Sequence, residues 1–259
     1  MVIPARDEAE RIAATVTASW TLPGVDMVIV VDDGSRDATS VEALRAGAAV
    51  VRHPRNLGKG SAMRTGAAHV ARLEADDGQD APSRVLLFVD ADLGATAART
   101  AALVPPVLEG TADMTVAVLP PQRTAGGGHG FVVRLSRDGI AAATGWIPTQ
   151  PLSGMRCLSR EAFSAALPLA RGWGVETGLT IDLLRAGFRI EEVPCALEHR
   201  VTGRDLAGQL HRARQYRDVA RALWVRRVRR GVAAFRARSG ISGRRRRDSR
   251  SGSDRPGSA

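Results

Sequence analysis

An α/β fold, with helices on both faces of a mostly parallel sheet, is predicted by the order of strand-like and helical segments along the chain. Short apolar runs typical of buried strands alternate with longer helical stretches over the first two thirds of the chain. This alternation is that of β-α-β units, in which successive strands run parallel. Hydrophobic residues make up 44% of the chain and charged residues 25%, which is the composition of an ordinary folded domain.

The predicted elements follow one another at short spacing. We expect strands at Val2–Pro4, Met27–Val31, Ala48–Arg52, Val85–Val89 and Met114–Leu119, with a late strand at Phe188–Val193. We expect helices at Glu8–Trp20, Asp37–Ala46, Lys59–Leu73, Ala97–Leu108, Ser159–Leu167 and Trp173–Ala186. Because ligands bind at the carboxyl ends of the strands in such sheets, polar residues that directly follow a strand are the candidates for a site.

The chain divides into a mildly acidic body and a strongly basic C-terminal part. Residues 200–259 hold 18 of the 37 lysines and arginines but 4 of the 27 acidic residues, so their net charge is +14 against −4 for the rest. We therefore predict a domain over residues 1–203 and a basic amphipathic helix over residues 204–235. The Arg/Ser/Gly tail over residues 236–259 has too few apolar groups to fold.

Neither a membrane span nor a disulfide framework is expected. No apolar run approaches the roughly 18 residues that cross a bilayer. Acidic residues follow the first apolar stretch too soon for a secretory signal. The two cysteines, Cys157 and Cys195, are too few for a disulfide framework and do not form a zinc pattern. These features predict a cytoplasmic protein.

The sharpest motif is LLFVDADLG, in which a buried strand ends in Asp90 and Asp92. Two carboxylates at positions i and i+2 can share a hard divalent cation that bridges a diphosphate and neutralises charge on a departing nucleotide. An aspartate pair at this place can equally cap the next helix. The motif alone therefore leaves both interpretations open.

Two further strand ends carry polar motifs. VIVVDDGSRDAT places Asp33 at a strand end, where a carboxylate can accept hydrogen bonds from a base or a ribose. The alternative for this motif is a turn followed by a helix cap at Ser35 or Asp37. VIPARDE ends the first strand at Pro4 and begins a helix at Glu8, where a carboxylate suits the helix dipole.

The fourth motif, RNLGKGSAMRTG, joins a glycine-rich turn to a helix N-terminus and contains Lys59, the single lysine of the chain. Such a junction can meet a phosphate or a base. The spacing is not that of a P-loop, which requires GxxxxGK[ST]. A plain loop-to-helix junction is the alternative.

In this order and at these spacings, PARDE, VVDDGSRDAT, RNLGKGSAMRTG and FVDADL resemble glycosyltransferase family 2, over about residues 2–200. The resemblance implies a GT-A fold and a hexosyltransferase that uses a nucleotide diphosphate sugar. It further implies that Pro4, Ala5, Glu8 and Asp33 hold the nucleoside, that Lys59 lies near the base, and that Asp90 and Asp92 bind Mg²⁺ or Mn²⁺ on the diphosphate.

The second half of the chain resembles the acceptor side of that family. PLSGMRCL is similar to the acceptor loop, which implies substrate binding by Ser153 and Gly154. GWGVETGLTIDLLRAGFRIEEVP followed by LEHR is similar to the segment that carries an acidic catalytic residue and a late histidine ligand. By this resemblance Glu176 is catalytic and His199 binds the metal. Arg200 is expected to bind an acceptor or donor phosphate if the C-terminal helix docks on the domain. The alternatives are a helix N-terminal acid for Glu176 and a surface position for His199.

The resemblance includes two groups within the family, the polyprenyl- or dolichol-phosphate sugar synthases and the glucosyl-3-phosphoglycerate synthases. The main hypothesis is therefore transfer of a sugar to a phosphorylated or lipid-phosphate acceptor. A nucleotidyltransferase shares the α/β plan, but normally carries a GxGxR-type signature where this chain has PARDE. A nucleic-acid-binding protein with a degenerate enzyme body would explain the basic tail. Interleaved aromatic residues that would support nucleic-acid binding are missing from that tail.

The C-terminal helix carries two expectations of its own. Its arginines suit the headgroups of anionic lipids, which predicts peripheral contact with the inner face of the membrane. The alternative is a helix docked on the domain, with its basic faces in water. In both cases an apolar stripe makes the contact, formed by Leu206, Leu210, Ala213, Tyr216, Ala220 and Leu223.

Overall fold

A computed structural model of the chain describes residues 1–76, 83–120, 130–197 and 206–238. It contains seven strands: β1 (Val2–Ala5), β2 (Ile29–Asp32), β3 (Ala49–Arg52), β4 (Leu86–Phe88), β5 (Met114–Val118), β6 (Arg156–Leu158) and β7 (Ile190–Pro194). The α-helices are α1 (Ala9–Ser19), α2 (Thr39–Arg45), α3 (Lys59–Asp76), α4 (Pro105–Leu108), α5 (Phe131–Thr144), α6 (Arg160–Ala165), α7 (Val175–Arg185) and α8 (Leu206–Arg238). Short 3₁₀ helices occur at Gly94–Leu103 and Gly172–Gly174.

The strands form a single sheet in the order β3-β2-β1-β4-β6-β5-β7. Strand β6 runs antiparallel to both of its neighbours, β4 and β5, whereas the other pairings are parallel. The predicted α/β fold with a mostly parallel sheet is confirmed. All six predicted strands are present, with ends that differ by one or two residues.

Alternation along the strands sends side chains into two apolar clusters, one on each face of the sheet. Ile3 and Val30 belong to one cluster, while Val2, Ile29 and Val31 belong to the other. Helices cover both faces because both faces are apolar, as the continuous hydrophobic runs predict. This arrangement leaves the carboxyl ends of the central strands as the place where polar residues meet.

Three features differ from the sequence-based expectation. The predicted helix Ala97–Leu108 is a 3₁₀ helix followed by the short α4, which starts at Pro105, because a proline cannot continue a hydrogen-bonded helix. Helix α5 was not predicted. Strand β6 was assigned to an acceptor loop, because its three residues include the polar Arg156 and lack a strand pattern.

Helix α8 docks on the body of the protein through α5, α7 and the 3₁₀ helix at Gly172–Gly174. The face that packs is not centred on the predicted stripe: Val219 and Ala222 are buried, whereas Tyr216 is 48% exposed. Arg226, expected on a solvated face, is buried and forms an ion pair with Asp182 of α7. The docking face therefore includes a charged contact that an apolar stripe does not reveal.

The helix extends to Arg238, three residues beyond the predicted end. The predicted tail after it lies outside the described residues. Within the parts of the chain that the structure describes, no helix is long and apolar enough to span a membrane.

Candidate active site

The ends of β1 and β2 bring the first two motifs side by side. The parallel register pairs Pro4 with Val31 and Ala5 with Asp32, and the N–H of Asp33 donates to the carbonyl of Ala5 at 2.8 Å. The two loops are then joined through Asp7, whose N–H donates to Ser35 Oγ at 2.9 Å. The sequence-predicted nucleoside residues thus lie at one edge of the sheet.

Glu8 lies just before α1. Its N–H donates to Thr39 Oγ1 at 2.9 Å, which ties it to the start of α2. Its carboxylate pairs with Arg11 at 3.0 Å. Asp37 also bridges the two helix starts, because its carboxylate accepts from the N–H groups of Ala9 and Thr39 at 3.0 Å each. Asp37 therefore holds the start of α2, although the N-cap residue is Ala38 and not Asp37 or Ser35 as the capping alternative expects.

Asp32 and Asp33 have internal partners. Asp32 accepts from the N–H of Ser35 at 2.8 Å and from the hydroxyl of Ser40. Burial alone would raise the pKa of Asp32, but these hydrogen bonds outweigh it and hold the pKa below its ordinary value. Asp33 accepts from the N–H groups of Leu57 and Gly58 at 2.8 and 2.7 Å. Asp33 therefore holds the loop before α3. Nucleoside binding by Asp33 stays a prediction.

Lys59, the first residue of α3, lies at the centre of the site. Its Nζ is 2.7 Å from Asp90 Oδ1 and 3.0 Å from Glu176 Oε1. Burial by itself would lower the pKa of this ammonium group, but the two carboxylates overcome that effect and hold the pKa above its ordinary value. Lys59 is therefore a fixed positive charge that joins the β4 end to the start of α7.

Glu176 faces this cluster although it is 86 positions beyond Asp90 in the sequence. It is the second residue of α7, is only 5% exposed, and meets Asp90 across the Lys59 ammonium group. Its backbone carbonyl accepts from the guanidinium of Arg156 at 3.3 Å. Asp182, on the same helix, points elsewhere and forms an ion pair with Arg226.

Arg156 is the largest fully buried side chain of the described residues and was not singled out from the sequence. Its guanidinium donates to the carbonyls of Pro151 and Ser153 at 3.2 and 2.9 Å and to Thr180 Oγ1 at 2.8 Å. Burial lowers its pKa to about 10, which leaves it charged at neutral pH. It thus links the loop before β6 to α7, and an arginine in an otherwise apolar strand is the signal that could have identified it.

The loop before β6 closes on the charged cluster at Gly154. A Cβ atom at this position would lie 2.4 Å from Lys59 Nζ and 2.6 Å from both carboxylate oxygens of Asp90. Ser153, beside it, is 92% buried, and its Oγ has no hydrogen-bond partner among the described residues. Both residues line a cavity of about 350 Å³ together with Asp90, Leu119, Pro120, Val133, Gln150, Pro151, Leu152 and Met155.

The donor set at the end of β4 fits a hard divalent cation. Asp90 and Asp92 would supply carboxylate oxygens, and in this structure Asp90 contacts the Lys59 ammonium group. The described residues contain no group of three or more histidine, cysteine, aspartate or glutamate side chains that could hold a metal ion. Such a cation would thus take further ligands from a bound diphosphate. His199 and Arg200, also predicted for the site, lie outside the described residues.

Comparison with known proteins identifies glycosyltransferases that are similar to this chain. Residues 1–128 match the model of glycosyl transferase family 2. The chain is 31% identical over 212 residues to glycosyltransferase AglJ of Haloferax volcanii, covering 79% of this chain and 64% of AglJ. It is 31% identical over 204 residues to glucosyl-3-phosphoglycerate synthase of Mycobacterium tuberculosis H37Rv, covering 70% of this chain and 59% of the synthase. The chain thus spans less than two thirds of the length of these relatives.

Crystal structures of the M. tuberculosis synthase are similar to most of this chain. One, in complex with Mn²⁺, UDP and phosphoglyceric acid, superposes with a TM-score of 0.68 at 29% identity over 87% of this chain and 76% of that one. Another, in complex with Mg²⁺ and UDP, has the same TM-score and identity over 87% of this chain and 77% of that one.

Proposed function

Because the chain belongs to glycosyltransferase family 2 and has the GT-A fold, we propose that it transfers a sugar from a nucleotide diphosphate sugar to a phosphate-bearing acceptor. The observation that carries the proposal is the meeting of Lys59, Asp90 and Glu176 at the end of β4. This arrangement places a fixed cation and a buried acid beside the carboxylates expected to hold a metal. A nucleic-acid-binding role leaves that arrangement without a purpose. A nucleotidyltransferase could also use it, but would normally carry a GxGxR-type signature where this chain has PARDE.

The donor occupies the ends of β1, β2 and β4 in this proposal. Pro4, Ala5, Glu8 and Asp33 lie where the nucleoside would enter, and the relatives with bound UDP make a uridine diphosphate sugar the first donor to test. The resemblance implies a place near the base for Lys59, but its contacts with Asp90 and Glu176 favour the diphosphate instead. There Lys59 would donate to the diphosphate and stabilise the negative charge that develops on the leaving nucleotide.

A divalent metal, Mg²⁺ or Mn²⁺, would supply Lewis-acid chemistry at the diphosphate of the donor. Asp90 and Asp92 would hold it from the protein side, and His199 stays a predicted further ligand. Gly154 keeps this place open, because any side chain there would collide with Lys59 and Asp90.

The acceptor occupies the cavity between β4, the loop before β6 and α5. Ser153 and Gly154 line its wall, and Gly154 lets the acceptor approach the carboxylates closely. Glu176 is the candidate catalytic carboxylate. In a reaction that inverts the anomeric centre it would take the proton of the acceptor oxygen, and in a retaining reaction it would orient the reacting groups.

The proposal is tested by measuring the release of UDP from UDP-sugars. The assay contains phosphoglycerate or a polyprenyl phosphate as acceptor and is run with and without Mn²⁺. We expect metal-dependent transfer, and we expect Asp92→Asn and Glu176→Gln each to lower kcat by about 100-fold or more. Asp113→Asn, in a surface ion pair with Arg189, is the matched control and should keep wild-type kcat. Full activity in excess EDTA would contradict the metal site.

The proposal has two forms, one with a soluble phosphorylated acceptor and one with a lipid phosphate as the acceptor. For a lipid phosphate, the cytoplasmic enzyme would contact the inner face of the membrane. The outward face of α8 supports this form, because Tyr216, Trp224 and Val228 are exposed there among Arg217 and Arg221. Aromatic and arginine side chains together suit an anionic interface.

Co-sedimentation with vesicles distinguishes the two forms. We expect binding to vesicles that contain anionic lipid, weaker binding to neutral ones, and a loss of about tenfold in Trp224→Ser. Trp20→Ser, at the tryptophan that follows α1 and is 40% exposed against 64% for Trp224, should bind like wild type. If the wild-type protein stays in the supernatant with anionic vesicles at low salt, the acceptor is a soluble phosphate.

A further inference from the structure

His53 is a buried histidine next to the site that the proposed reaction does not use. It follows β3, and its N–H donates to the carbonyl of Asp32 at 2.8 Å, which fixes its backbone against β2. It is 7% exposed. Its Nδ1 lies 2.8 Å from Asp33 Oδ1, and its Nε2 lies 2.9 Å from Thr65 Oγ1 on α3. Because a carboxylate can only accept, Nδ1 is the donor to Asp33.

The Asp33 carboxylate continues the chain of contacts into the loop before α3. Its two oxygens accept from the N–H groups of Leu57 and Gly58, the last two residues before Lys59. The loop also lies flush against Gly34, where a Cβ atom would be 2.6 Å from the carbonyl carbon of Arg55. Asp33 is therefore the anchor of this loop, and His53 is the side chain that fixes the rotamer of Asp33.

The other end of the chain of contacts is the charged cluster. Lys59 reaches Asp90 and Glu176 from the first turn of α3, so its position depends on where that turn begins. We propose that His53 is a positioning residue, which holds Asp33 and, through the amides of Leu57 and Gly58, sets the place of Lys59 between Asp90 and Glu176. The residue acts at a distance, because none of its contacts is with the charged cluster itself.

Two variants of His53 separate this role from simple filling of space. His53→Asn retains an amide nitrogen near the position of Nδ1, so the bond to Asp33 can form while the bond to Thr65 is lost. His53→Gln places its amide near the position of Nε2, so the bond to Thr65 can form while the bond to Asp33 is lost. The two side chains are similar in polarity, and His69→Asn on the outer part of α3 is the histidine control.

Amide exchange is the readout that does not depend on the proposed function. We expect the amides of Leu57 and Gly58 to exchange about tenfold faster in His53→Gln, because the anchor of both hydrogen bonds is loosened. In His53→Asn we expect rates within about threefold of wild type. Amides of β1 and β2 serve as the internal reference, since a general loss of stability would change them as well.

The second readout rests on the proposed function. His53→Gln should raise the KM for the nucleotide sugar by about tenfold and lower kcat less, because Lys59 is misplaced before the donor binds. His53→Asn should restore the wild-type KM. Equal exchange rates and equal KM values in the two variants would overturn the proposal. If transfer is absent even in the wild-type protein, the proposed function fails while the exchange rates still decide the role of His53.

Discussion

The donor side of the site, residues 1–92, and the acceptor side, residues 150–197 with α8, place their functional groups by different means. On the donor side, Ala5, Asp33 and Asp90 stand at the ends of strands that are neighbours in a parallel sheet. On the acceptor side, Glu176 depends on Arg156, a buried cation that gathers acceptors from two separate segments. Helix α8 then packs over α7 from outside.

The two sides therefore differ in how strongly a substitution should affect stability. Strand ends are set by sheet pairing, so a donor-side residue changes the site locally. The acceptor side relies on buried polar contacts between distant segments, and removing one leaves several groups without partners. Substitutions on the acceptor side should therefore cost more stability than substitutions on the donor side, and three comparisons test this.

Arg156→Leu should give the largest loss, about 3–5 kcal/mol in the free energy of unfolding, because several buried carbonyls lose their donor at roughly 1–3 kcal/mol each. Leucine fills part of the space but cannot serve these acceptors. Urea denaturation measures the loss. Arg45→Leu, at an exposed pair with Glu42, should change stability by less than about 0.5 kcal/mol. An Arg156→Leu protein within about 1 kcal/mol of wild type would contradict this account of the acceptor side.

Asp182→Ala tests the docking of α8. The variant leaves the buried guanidinium of Arg226 without its carboxylate, and we expect a loss of about 2–3 kcal/mol, since Asp182 itself is partly exposed. Asp113→Ala removes the partner of the exposed Arg189 and should cost about 1 kcal/mol or less. Thermal unfolding of the pair checks the difference, and equal losses would mean that the α8 contact adds nothing beyond a surface pair.

Gly34→Ala tests the donor side, where we expect the smallest effect. Gly34 and Gly24 both have positive φ, of 76° and 78°, so alanine strains both by about 1 kcal/mol. At Gly34 an added Cβ atom would collide with the loop before α3. At Gly24 no atom of the described residues lies within 4 Å of an added Cβ atom. Gly34→Ala should cost about 1 kcal/mol more than Gly24→Ala and weaken binding of UDP, as calorimetric titration can show. Equal affinity in both variants would mean that the loop is not part of the donor site.

Much of the donor side could be predicted from the sequence. The strand ends at Pro4, Asp33 and Asp90 follow from short apolar runs, and Lys59 follows from a glycine-rich turn before a helical pattern. Side-chain partners could not be predicted, because the carboxylate of Asp33 is held by His53 from the end of the next strand. Nothing in the pattern around His53 distinguishes it from a surface histidine.

Three features could be predicted from the sequence alone: the α/β class, the alternation of the first five strands with helices, and the carboxylates at the strand ends. These features depend on hydrophobic periodicity within short segments, which is visible in the amino-acid sequence. Only the tertiary structure decided that β6 enters the sheet antiparallel between β4 and β5, and that Arg156 is buried beneath the site. It also decided that Glu176 meets Asp90 across Lys59. These features depend on contacts between residues far apart in the chain, and such contacts leave no periodic signal in any one segment.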